Sequence, residues 1–169
     1  SRVRITRSTA LNVALATLSV PELRKIEGSA TVAGCEALSD FAPTLLKTVV
    51  GDLIVSGVGA LEALSFVKLA SVGGDLRVTD SAGLLSLAFG RLVTIGGELA
   101  LEKNAALVTI SFEDLTTIAG DLSLAYNTSL TSFEADELTD IQGTLFRVSN
   151  NPVFPQCAVQ GLYDQLTEF

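Results

Sequence analysis

Four acidic residues, Asp52, Asp75, Glu98 and Asp121, follow one another at intervals of 23 residues. Carboxylates on one line raise two chemistries. One is a row of calcium sites, because calcium takes oxygen ligands. The other is a solvated corner in which each carboxylate accepts turn N–H groups. The Gly- and Asp-rich nonapeptides of calcium-binding solenoids are absent, and carboxylates about 5 Å apart repel by about 0.8 kcal/mol in water. We therefore expect the corner. A second group, Glu113, Asp114, Glu134, Asp136 and Glu137, falls on two adjacent copies of the same interval, with Lys68 and Arg91 on the flank of the preceding copies. That acidic patch would orient a partner or simply solubilise the surface.

Other chemistry is poorly supplied. The chain contains no His, Trp or Met, so the commonest general base and metal ligand is missing. Polysaccharide lyases and hydrolases need paired carboxylates in a cleft, and a constant repeat length leaves no long loop to build one. Ice-binding solenoids use flat threonine arrays; here a single row reads Thr48, Ser71, Thr94, Thr117, Asp140, and we expect structural packing of its hydroxyls. The expectation is no catalytic residue, cofactor or metal. The candidate partner surface is Arg77, Glu102, Glu113, Asp114, Asp136 and Glu137.

What positions these residues is a repeat. Glycines stand at 28, 51, 74, 97, 120 and 143. Counting each as position 1, position 3 is Leu53, Leu76, Leu99, Leu122 and Leu145, and position 5 is Val32, Val55, Val78, Leu101 and Leu124. Position 11 is leucine from Leu38 to Leu130, and position 16 holds Phe66, Phe89 and Phe112. A degenerate copy with Leu15, Leu18, Val20, Leu23 and Ile26 precedes them. Spacings of two between positions 3 and 5, and between 14 and 16, are strand periodicity. Each unit thus reads as one coil of a parallel β-solenoid, the coils stacking about 4.8 Å apart. A single coil cannot offset its own ordering entropy, so coils must stack and the ends need covers. We divide the single domain into a degenerate N-terminal coil or cap (1–27), five regular coils (28–142), and a last coil with a helical cap (143–169). In the cap, Pro155 fits a first helical turn, and Val159, Leu162, Tyr163 and Leu166 follow at i, i+3, i+4 and i+7. The opening SRVRITRSTA is basic and strand-like.

Position 8 forms a further ladder: Asn12, Cys35, Val58, Ser81, Asn104, Asn127 and Asn150. Stacked asparagines inside a bend can bond backbone groups of neighbouring coils. This argues against Asn127, within Asn-Thr-Ser, as a glycosylation acceptor. Cys35 and Cys157 lie about five coils apart, roughly 24 Å, beyond disulfide reach. Cys35 is expected to act as a small apolar group, and Cys157 to be the better candidate for pairing with a cysteine elsewhere in a longer parent protein.

The string GxLxVxxxxxxLxxLxFxxLxxIxG, carried best by LSVPELRKIEGSATV and LTDIQGTLFRVSNNP, resembles the receptor L domain. The resemblance covers roughly residues 11–169. The pattern is related to leucine-rich repeats but departs from them: Leu107 follows Asn104 by three residues, and Leu99 follows Ile95 by four. The ending NPVFPQCAVQGL looks more like bacterial cell-surface members than animal receptors. The resemblance implies a right-handed β-helix at a cell surface or outside the cell, acting in recognition or adhesion or as a structural module. It carries over no ligand-contact residue.

The resemblance and the flat faces of a solenoid together imply a non-catalytic recognition or adhesion module for a protein or glycan, the alternatives being a structural spacer of a larger envelope protein and, third, a carbohydrate-active or ice-binding β-helix. Residues 1–84 carry eight basic and eight acidic side chains; residues 85–169 carry three and eleven, giving the net charge of −8. Such an acidic chain is a poor partner for nucleic acid or an anionic membrane. No apolar run approaches a membrane span, and ALNVALATLSV lacks the long apolar core of a signal peptide.

Overall fold

The computed structural model describes residues 3–6 and 15–167. The chain is a right-handed parallel β-solenoid of coils about 23 residues long, closed at its C-terminal end by a short helix. A regular coil contributes three short strands. In one coil these are Leu53–Ser56, Ala63–Ser65 and Ser71–Val72, and in the next Leu76–Thr79, Ser86–Phe89 and Thr94–Ile95. Like strands stack in parallel, 23 residues out of phase, so Leu53 pairs with Leu76, Leu76 with Leu99 and Leu99 with Leu122. The result is a seven-stranded sheet, a six-stranded sheet, and a third face divided into a four-stranded and a two-stranded piece.

Alternation decides which side chains fill the interior. In Leu76–Thr79, Leu76 and Val78 are buried while Arg77 and Thr79 face outward. Leu76, Leu99 and Leu122 are each 0% exposed, one above the other. The Phe66, Phe89 and Phe112 rings stack with centroids 5.1 and 5.0 Å apart and planes nearly parallel. Aromatic pairs of this kind add about 0.5–1.5 kcal/mol each beyond burial.

The repeated glycine is required by close approach. A Cβ on Gly74 would lie 2.1 Å from Asp52 Oδ1, and one on Gly97 would lie 2.2 Å from Asp75 Oδ1. The left-handed residues of the coil are six positions later: Gly34, Gly57, Asp80, Lys103 and Tyr126, with φ between 54° and 64°.

The buried asparagine ladder is real. Asn104 Oδ1 accepts the Ser81 N–H (3.0 Å) and its Nδ2 donates to the Val78 carbonyl (2.9 Å). Asn127 does the same for Asn104 N–H and the Leu101 carbonyl. The next rung, however, is Asn151: it accepts the Asn127 N–H (2.8 Å) and donates to the Leu124 carbonyl. The last coil holds one residue more than the regular coils, so Leu122 pairs with Phe146, 24 residues on. This corrects the expectations for that coil. The coil length is not constant. Leu145 does not enter the core but is 46% exposed at the turn. Asn150 is displaced into the left-handed position, φ 57°, and Phe146, which the 23-residue count puts between two inward positions and so on the outer face, packs half-buried against the core.

Pro43 marks another departure. It occupies the phenylalanine position of its coil and is buried. Lacking an N–H, it cannot donate to the coil above, and the ladder between Asp40–Phe41 and Ala63–Ser65 is broken there. Phe41 meets Phe66 edge-on across the gap, centroids 6.2 Å apart.

At the N-terminal end Val3–Thr6 joins the long sheet, Val3 pairing with Ala30, 27 residues on. Thr17 pairs with Asp40 at the usual interval, so the four additional residues fall between Thr6 and Thr17. Asn12 lies outside the described residues, and Leu15 is 38% exposed rather than seated in the core. At the other end Gln156–Thr167 is the expected helix. Leu162 is buried, and Ala158, Val159 and Leu166 pack against the core. Tyr163, expected on that face, is instead 53% exposed. Gln165 Nε2 donates to the Leu138 carbonyl (2.6 Å) and also lies 2.9 Å from the Ala135 carbonyl, which pins the cap.

Candidate recognition surface

The acidic column is a set of backbone ties. Asp52 Oδ1 accepts the Asp75 N–H (3.1 Å), Asp75 Oδ1 accepts the Glu98 N–H (2.9 Å), and Asp121 Oδ1 accepts those of Thr144 and Leu145. Ser29 Oγ does the same in the preceding coil, accepting the Asp52 N–H. Glu98, one methylene longer, turns to Arg77 instead (2.6 Å). Among the described residues no group of three or more metal-ligating side chains converges.

Arg77 lies flat on the long sheet between Asp75 (2.9 Å) and Glu98. For the Asp75 carboxyl, burial is the largest influence and opposes ionisation. The Glu98 N–H and the Arg77 guanidinium together outweigh it, holding the carboxyl below the usual range. Farther along the same face Glu102 Oε1 takes the Ser123 hydroxyl. Arg147 sits 5.7 Å from the centroid of the Tyr126 ring, and its Nε donates to Ser149 Oγ (3.0 Å). Ala100, Ser123 and Ala125 stand in the outward rows of this sheet, yet all are buried.

The six candidate surface residues therefore divide. Arg77 and Glu102 belong to the long sheet. Glu113, Asp114, Asp136 and Glu137 are exposed on the corner between the other two sheets, in adjoining coils. Among the described residues no ion pair joins that patch to Lys68 or Arg91. Cys35 is half-buried and Cys157 exposed, both as free thiols. No described helix is long and apolar enough to cross a membrane.

One residue of this surface escaped the sequence reading: Tyr126, 44% exposed at φ 59°. Its signal was its slot, a column of Gly34, Gly57, Asp80 and Lys103 in which a tyrosine stands out.

The fold defines the class: a parallel β-solenoid whose architecture is consistent with L-domain and leucine-rich-repeat proteins. Comparison of the chain with protein-family models, with curated proteins and with solved structures gave no match.

Proposed function

We propose that the chain is a non-catalytic recognition module, working at a cell surface or outside the cell on a protein or glycan partner. The observation that carries this is the outer face of the long sheet. There Arg77, Glu102 and Arg147 are each tied down by neighbours, over outward residues that are themselves buried. Side chains already fixed in place lose little entropy on meeting a partner, which is what pre-organisation contributes to affinity. The resemblance to the receptor L domain supports the location and the role.

The test is to immobilise the domain and measure binding of purified surface glycans and ectodomain proteins by interferometry. Saturable micromolar binding, weakened by Arg77→Ala or Glu102→Ala with the circular dichroism spectrum unchanged, is the expected result. A folded domain that binds none of them would favour the spacer.

A further inference from the structure

The half of the chain richest in acid has one corner whose hollows are lined by uncharged residues. Two adjoining hollows flank the junction of the last coil and the helix. The larger, about 580 Å³, is bounded by Tyr126, Thr128, Asn150, Asn151, Phe154 and Gln156, with Pro152 at its edge. The smaller, about 390 Å³, shares Asn150, Asn151, Phe154 and Gln156 and adds Ser149, Val159 and Gln160 among others. No lining residue of either is ionisable as an acid or base near neutrality. Both are shallow and open to solvent, so a ligand here would lie along the surface rather than be enclosed.

Three further observations point to the occupant. First, the Tyr126 ring is carried on a left-handed backbone, a conformation that costs an L-residue about 1–2 kcal/mol and that two earlier coils fill with glycine. Local backbone demand does not account for a bulky aromatic there. Second, the ring is steadied by Arg147, itself held by Ser149. Third, the polar groups are neutral. The Gln156 side chain makes no hydrogen bond among the described residues, the Asn150 side chain has a single long contact of 3.5 Å to Ser149 Oγ, and the Thr128 hydroxyl donates to the Ala105 carbonyl and keeps lone pairs free. An amide offers a donor and an acceptor side by side, the complement of two vicinal hydroxyls. An aromatic ring matches the C–H face of a pyranose. No cation lines either hollow to draw in an anionic ligand, and an apolar one would leave the amides unpaired.

From this we infer that the corner is a subsite pair for a neutral oligosaccharide, with Tyr126 as the platform and Asn150, Gln156 and Thr128 reading hydroxyls. The inference rests on the module being a recognition domain and names its ligand class. The probes are neutral tetrasaccharides of glucose, mannose, galactose and N-acetylglucosamine, with tetragalacturonate as the acidic control. Each is titrated into the isotope-labelled chain and followed by NMR. At least one neutral probe should give saturable shifts at the Asn150 and Gln156 side-chain amides. Tyr126→Gly, which suits the backbone, should weaken binding about tenfold or more, and Tyr126→Phe should leave it within about threefold. Absence of shifts from every neutral probe up to about 10 mM, or equal binding of the acidic control, overturns the site. Shifts confined to the Arg77 and Glu102 face would overturn this site while leaving the recognition reading standing.

Discussion

At the scale of single residues, stability is concentrated where side chains satisfy buried backbone. Asn104 is fully buried and both ends of its amide are spent on main-chain groups. Asn104→Ala would leave the Ser81 N–H and the Val78 carbonyl without partners, at about 1–3 kcal/mol for each. Urea denaturation should show a loss of about 2–6 kcal/mol; a loss no larger than that of an ordinary surface substitution would mean water replaces the amide. Asp75 makes a pH-dependent contribution. Its carboxyl ionises below the ordinary range in the folded chain, so the folded state binds fewer protons than the unfolded one. The stability it adds is complete above about pH 3.9, the unfolded value, and is lost as pH falls through the lower folded value. The Tm difference between wild type and Asp75→Asn should therefore be present at neutral pH and shrink below about pH 4. A difference that stays constant to pH 2 would show that the charge contributes nothing.

At the scale of the element, the coil is set by what its corner leaves room for. A Cβ on Gly97 would meet the Asp75 carboxylate oxygen and, at 2.9–3.0 Å, the backbone of Gly74 and Asp75, whereas one on Gly120 would meet the backbone of Gly97 and Glu98 more closely, at 2.6–2.8 Å. Both alanine variants should destabilise, by about 1–3 kcal/mol as for overpacking, and Gly120→Ala should cost more. Equal losses by thermal unfolding would contradict that distinction. These glycines and the leucine rows are also why the stacking was legible in the sequence: a side chain repeated on itself must fall at one interval. The last coil was not legible for the same reason. Leu145 is apolar and falls at the leucine interval, and in Asn150–Asn151 either residue suits the ladder by type. Only the hydrogen bonds from Asn127 N–H and to Leu124 decide for Asn151. Pro43 was hidden because a buried proline satisfies the apolar pattern while withholding the N–H that the pattern does not record. Tyr126 was missed because the left-handed column mixes Gly, Asp and Lys, types that share a backbone shape and no side-chain property.

At the scale of the whole molecule, a stack of coils is only as closed as its ends. Energetics in such arrays are nearest-neighbour, so an end coil has one interface where an inner coil has two. The gradient is visible here: Leu122 and Leu124 are fully buried, while Phe146 and Val148 directly above them are half-buried. Phe154 and Leu162 of the cap complete that end, each 7% exposed. Ending the chain after Asn151 removes the helix and Phe154 but keeps the asparagine rung. The inner coils should keep their hydrogen-exchange protection, and the amides of 141–149 should exchange at least tenfold faster. The bared strand Phe146–Ser149 is also the edge of a seven-stranded sheet, and unprotected edges recruit other strands. Sedimentation of the truncated chain should then show stronger association with rising concentration than that of the full chain. A truncated chain that associates no more than the full chain, with 141–149 still protected, would show that the last coil closes itself and that the helix serves another purpose.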